Sequence, residues 1–131
     1  MIEIKELSKV FTLSRKMMKE AKVKSNKKIA VDHLSFTANQ GEIYGLLGPN
    51  GAGKTTTLRC ISTIIKPTSG KIYVAGHEVQ EEAEAVRNSI GFLTSDIKLD
   101  PQFSPDYMFD FFGRLHHVPK DVLKKRKEEL F

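Results

Sequence analysis

Near the middle of the chain, Gly48-Pro49-Asn50-Gly51-Ala52-Gly53-Lys54-Thr55 fits the spacing G-x-x-x-x-G-K-[ST] without gap or substitution. The residue types set the chemistry. Glycines at 48, 51 and 53 let a backbone turn tightly and approach a ligand with no Cβ in the way. Amides from Gly51 to Thr56 can then converge on one nest for anionic oxygens, with the positive end of a helix dipole beneath it. Lys54 is the residue to reach the β- and γ-phosphates of a nucleoside triphosphate, and the Thr55 hydroxyl the one to take a Mg²⁺ coordination position. The bland alternative is a glycine-rich turn that happens to fit.

Such a loop works only between a strand and a helix. Ile43-Tyr44-Gly45-Leu46-Leu47 ahead of it is an apolar run of the kind a buried parallel strand shows, and Leu58, Ile61 and Ile65 behind it recur at helical spacing. Further upstream, Ile2 and Ile4 alternate with Glu3 and Lys5, an edge strand with one buried face that closes at Val10-Phe11. Leu34, Phe36 and Ala38 give a second strand, ended by the turn Asn39-Gln40-Gly41. Downstream come the turn Lys66-Pro67-Thr68-Ser69-Gly70, a strand over Lys71–Gly76, a short helix over Glu81–Asn88 and a buried strand over Ile90–Thr94. Ser104-Pro105-Asp106 opens a helix whose apolar face is Tyr107, Met108, Phe111, Phe112 and Leu115. Val118-Pro119 ends it, and a last helix from Asp121 to Phe131 carries no stop signal, the mark of a fragment cut within a helix.

At 131 residues the chain is one domain or a piece of a larger one. No apolar run approaches the roughly 20 residues of a membrane helix, and Glu3, Lys5 and Glu6 interrupt any signal-peptide core. Cys60 stands alone, so there is no disulfide framework, which fits a reducing cytosol; a small core residue is favoured over a reactive thiol. The net charge of +5 is local: Ser14–Lys28 holds seven Lys or Arg against one Glu, and the rest of the chain sums to −1. That distribution argues against a broad nucleic-acid surface. Weak periodicity and self-repulsion make 14–28 a mobile hairpin extension or loop, with a patch for acidic lipid headgroups or an acidic partner as the alternative.

The run from Tyr44 to Arg59 resembles the ATP-binding subunits of ABC transporters, and Leu7-Ser8-Lys9-Val10-Phe11, Lys66–Gly70 and the Ile72–Gly76 strand agree in order and spacing. The resemblance covers essentially all of residues 1–131. The tripled threonine and the Gly91-Phe92-Leu93-Thr94 stretch are most similar to the exporter branch, which includes sodium- and drug-extruding ATPases. The implied fold class is α/β: a P-loop core with an antiparallel β-subdomain over 1–95, interrupted by the basic insert 14–28, and the start of a helical subdomain over 96–131. The implied ligands are ATP and Mg²⁺, held by Gly48, Asn50, Gly51, Ala52, Gly53, Lys54, Thr55 and Thr56. Phe11 falls where the family places an aromatic that stacks on adenine; the alternative is that Phe11 closes the β-subdomain core.

One position departs from the family. Where a glutamine usually touches Mg²⁺ and the attacking water, this chain has Ser95. A serine acts there only through a water; Asp96 could supply the oxygen instead, and a polar strand end without such a role is the bland reading. Gln102 is a poorer substitute, lying beyond Pro101. The signature segment, the Asp-Glu strand and the switch histidine do not occur in these residues, and His116 and His117 read as surface or inter-helix residues. The resemblance therefore implies the N-terminal half of a nucleotide-binding domain, inactive alone. It would pair with a second such domain and with transmembrane permease subunits on the cytoplasmic face of the membrane, with no nucleic acid expected. The rival readings are a soluble ATPase acting on ribosomes or nucleic acid, favoured only by the basic insert, and a truncated interaction module.

Overall fold

The computed structural model describes residues 1–94 and 101–131. They form two compact units, Met1–Phe92 and Leu93–Phe131. The first is built on an antiparallel sheet of strands β1 (Ile2–Thr12), β2 (Lys27–Ala38), β3 (Ser69–Val74) and β4 (His77–Glu78), in the order β2-β1-β3-β4. Helices α1 (Arg15–Glu20), α2 (Lys54–Ile61) and α3 (Ala83–Ser89) complete it. The second unit holds α4 (Pro105–Leu115) and α5 (Lys120–Leu130).

The first strand is not the edge strand expected. It pairs with β2 on one side and β3 on the other, Ile4 lying opposite both Phe36 and Ile72. Alternation along a strand reports which face is buried and carries no information on lateral neighbours. Ile4 and Leu7 are both buried although three residues apart, which strict alternation forbids. A bulge resolves this: between the pairs Lys5↔Lys71 and Ser8↔Ser69 the first strand spends one residue more than β3, and Glu6 turns to φ 52°. Ser35 holds the kink, its hydroxyl accepting from Glu6 N at 2.8 Å and donating to the Glu6 carboxylate at 2.9 Å. Gly70 faces the bulge with φ 85°; a Cβ there would stand 2.3 Å from the Glu6 carbonyl oxygen. Ser69 and Gly70, expected in a turn, are strand residues for this reason. The turn proper is Ala75-Gly76, both at positive φ between the paired Val74 and His77, the two-residue hairpin geometry.

Against the sheet packs a core of Ile4, Leu7, Val31, Cys60, Ile61, Ile72, Val74, Val79 and Val86. Each such side chain stabilises the fold by roughly 1.5–3 kcal/mol relative to exposure. The buried face of α2 is Thr57, Cys60 and Ile61, whereas Leu58, expected in its apolar stripe, is exposed and Ile65 lies past the helix end. Cys60 is fully buried, the core role expected, and burial pushes its thiol pKa up, only partly countered by Lys9.

Two expected strands do not form. Residues 42–49 and 90–94 lie outside the ladders, with Ile43, Leu47 and Leu93 among the most exposed apolar side chains. Parallel strands take their hydrogen bonds from neighbours, and among the described residues no segment pairs with either run. An apolar run states what environment it needs and not who supplies it. The basic insert, expected as a loop, contains α1: the Ser14 hydroxyl caps it, accepting from Met17 N, and Lys27 and Lys28 already belong to β2.

At the start of α3, the Glu82 carboxylate takes a hydrogen bond from His77 Nδ1 at 2.9 Å and another from Glu78 N. The His77 contact, then the backbone amide, hold the Glu82 carboxyl below the ordinary carboxylate range. Its folded pKa lies under its unfolded one, so the stabilisation is complete above the unfolded value and vanishes as pH falls through the folded value. The protection of amides across 77–86, taken relative to their intrinsic exchange rates, is therefore expected to begin falling at a lower pH than an unshifted carboxylate would give. In His77→Ala that onset should move to higher pH; an unmoved onset would contradict the linkage.

In the second unit, Ser104 caps α4 through Tyr107 N with Pro105 in the first turn, as expected. Lys127 of α5 reaches Asp106 at 2.7 Å and Asp110 at 2.9 Å, and Gly113 lies directly against Leu123, the buried residue of α5. Those two carboxylates raise the Lys127 pKa, the bond to Asp106 most. The apolar face of α4 is formed but has no buried residue. His116 and His117 are exposed at its C-terminal end. Among the described residues, no helix is long and apolar enough to cross a membrane.

Candidate nucleotide site

Gly53 ends the loop in the left-handed region at φ 86° and serves as N-cap of α2. No other residue fits there, since a Cβ would meet the Ala30 carbonyl oxygen at 2.3 Å and Val31 Cγ2 at 3.0 Å. The loop is thus pressed against the backbone of β2. The first intrahelical bond runs from Thr57 N to Gly53 O, so the amides of Lys54, Thr55 and Thr56 have no acceptor within the helix. They make the positive end of α2, an anion site by construction. Lys54 Nζ donates to the carbonyls of Gly48 and Pro49, the latter at 2.7 Å, which holds its ammonium over the mouth of the loop.

A pocket of 440 Å³ opens at this helix end, within the size range of small-ligand sites. Asn50, Gly51, Gly53, Lys54, Thr55 and Thr56 form one wall. Phe11 and Thr12, from the end of β1, form another. Phe11 is absent from the core cluster and 37% exposed, so closing the β-subdomain core is not its role. Lys9 Nζ stands 5.1 Å from the Phe11 ring centroid and donates to Lys66 O at 2.8 Å. That cation–π contact steadies the ring beside the cavity.

The structure thus brings together seven of the residues singled out in the sequence: Phe11, Asn50, Gly51, Gly53, Lys54, Thr55 and Thr56. Gly48 and Ala52 shape the loop without lining the pocket; Gly48 supplies a carbonyl to Lys54, and Ala52 N closes a turn on Pro49 O at 3.2 Å. Ser95 and Asp96 lie outside the described residues, and Gln102 belongs to the second unit. The lining residues that sequence reasoning missed are Thr12, Leu13, Met17, Lys28 and Ala30. The signal for Lys28 was strand register: it is the partner of Phe11 across the β1–β2 ladder, so both side chains project from one face.

The described residues contain no cluster of three His, Cys, Asp or Glu able to hold a metal. The pocket fits Mg²⁺ in another way: the Thr55 hydroxyl is a hard oxygen donor beside an anion nest, and Mg²⁺ commonly takes one or two protein oxygens together with phosphate and water.

Comparison with known proteins gives the family and the fold. A family model described as ABC transporter matches residues 31–128. The chain is 44% identical over 103 residues to the daunorubicin resistance ATP-binding protein DrrA3 of Streptomyces coeruleorubidus, covering 79% of this chain and 33% of that protein. It is 38% identical over 96 residues to the Nod factor export ATP-binding protein I of Ralstonia nicotianae, covering 73% and 30%. The chain therefore spans about a third of the length of these curated relatives. Among solved structures it is similar to a dimeric bacterial ABC transporter cassette, with TM-score 0.72 and 22% identity over 98% of this chain and 55% of that one. An ATP-binding subunit of an ABC transporter aligns with TM-score 0.71 and 20% identity, over 95% and 46%. At such identities the structural likeness carries the fold, an α/β nucleotide-binding cassette in part.

Proposed function

The chain belongs to the ABC transporter family, and on that premise we propose that it is the ATP-binding part of a transporter subunit that couples nucleotide binding and hydrolysis to export. One observation carries the reading: a single pocket joins an aromatic ring, Phe11, to the amide-rich start of α2. Adenine stacks on Phe11, the triphosphate lies on the amides of Gly51 to Thr56, and Lys54 neutralises the β- and γ-phosphates. The Thr55 hydroxyl supplies one oxygen to Mg²⁺, which offsets charge on the phosphates when bound. Ser95 or Asp96 is assigned the task of orienting the attacking water on the family resemblance alone. The relatives named for daunorubicin resistance and Nod factor export support a drug-like or other organic cargo over sodium. A second nucleotide-binding domain and permease subunits are the partners, which puts the chain at the inner face of the membrane. Dimeric solved cassettes of the same fold support the pairing.

Competition between a non-hydrolysable ATP analogue and inorganic tripolyphosphate tests the division of labour. Phe11→Ala is expected to weaken the analogue about tenfold and leave tripolyphosphate unchanged, because stacking on an aromatic is worth roughly 1–3 kcal/mol per base. Equal loss for both ligands, or for neither, would remove Phe11 from the base site.

A further inference from the structure

The basic insert was the one stretch that the family reading did not absorb. It returns to the nucleotide pocket at two points. Met17, on α1, and Lys28, on β2, line the same cavity as Phe11 and the phosphate loop. We infer that the insert 14–28 is a third wall of the nucleotide site, with Met17 closing over the nucleobase that Phe11 supports and Lys28 adding a second cation for the phosphate tail. The inference rests on the ATP reading above and goes beyond it by giving the insert a task.

The geometry comes from local structure. The Ser14 hydroxyl starts α1 directly after the end of β1, and Leu13 N bonds Asn26 O at 2.6 Å, which closes the insert at its base. A helix started there places Leu13 and Met17 on the lining of the same cavity as Phe11. Met17 is half exposed and in no core cluster, so packing of the fold does not account for its place. An unbranched, polarizable thioether adapts to an aromatic plane and makes favourable sulfur–ring contacts. A base between Phe11 and Met17 is covered on both faces.

Lys28 follows from register. It is the cross-strand partner of Phe11, on a pocket wall where no Asp or Glu appears. None of the ion pairs found among the described residues engages it. A cation beside the base-stacking ring, in a cavity that Lys54 also lines, meets a triphosphate from its nucleoside end. None of the other six cations of the insert lines this pocket, and four of them, Arg15, Lys19, Lys22 and Lys24, border a separate groove.

The test uses the intact polypeptide, with a non-hydrolysable ATP analogue and inorganic tripolyphosphate as probes, both titrated by calorimetry. Met17→Ala is expected to weaken the analogue about three- to tenfold and leave tripolyphosphate unchanged. Lys28→Gln is expected to weaken both probes about three- to fivefold, with a shallower dependence on salt. Both positions are at the surface, so unchanged thermal midpoints check that the fold persists. Analogue binding within twofold of wild type in both variants overturns the inference while the ATP reading stands. Wild-type chain that binds neither probe overturns both.

Discussion

Lys54→Ala is expected to lower the affinity for a Mg²⁺-bound ATP analogue about 30- to 100-fold, since a charged hydrogen bond is worth roughly 1.5–3 kcal/mol. Two losses combine. The ammonium is the one charged group of the loop, and it ties the loop together through the carbonyls of Gly48 and Pro49. Lys54→Arg should rescue little, because a planar fork does not replace a compact point charge seated between two converging carbonyls. Stability should move by less than about 1 kcal/mol, because Lys54 lies outside the core cluster. Calorimetric titration and a thermal melt read both quantities. Affinity within threefold of wild type in the alanine variant would contradict the assignment of Lys54 to the phosphates.

Gly53→Ala should cost at least about 2 kcal/mol of stability, the sum of left-handed strain and a backbone collision. The added methyl would sit 2.3 Å from the Ala30 carbonyl oxygen, and that oxygen belongs to a strand whose next residue, Val31, is buried. Neither side can give cheaply: moving β2 disturbs the core, and moving the loop turns the α2 amides away from the pocket. Gly51→Ala is the control. Its φ of 87° is equally unfavourable to a side chain, but nothing lies within 4 Å of the added carbon, so only about 1–2 kcal/mol of strain is expected. Denaturant unfolding should rank Gly53→Ala clearly below Gly51→Ala, with phosphate affinity following the same order. Equal losses would mean that contact with β2 does not set the loop.

How much of this could be read from residues alone differs between loop and sheet. The loop was legible because each of its tasks demands a particular type: a glycine where φ is positive and space is closed, a lysine for charge, a threonine for a hydroxyl. The helix after it was legible in existence but not in facing. Leu58 looked apolar and is exposed, while Thr57 is buried, because tertiary packing and not hydropathy alone chose the face. The placement of β1 between two neighbours, and the bulge at Glu6 that needs Gly70, depend on partners far along the chain. Ile43–Leu47 shows the same limit from the other side: its composition asks for a parallel ladder that the described residues do not form. Phe11 was found through family resemblance, since its strand periodicity alone would equally suit a core residue. Met17 and Lys28 carried no local signal; they join the pocket through a six-residue helix and a strand register that appear only when the β1–β2 pair is assembled.

The most direct measurement is a map of backbone amide shifts by NMR as a non-hydrolysable ATP analogue with Mg²⁺ is added to the intact polypeptide. The expected result is one saturable set of changes at Gly51 to Thr56, where the phosphates lie, together with Phe11 and Thr12, where the base lies, both lost in Lys54→Ala. Changes confined to other surfaces, or changes at the loop with none at Phe11, would contradict a single site that holds both ends of the nucleotide.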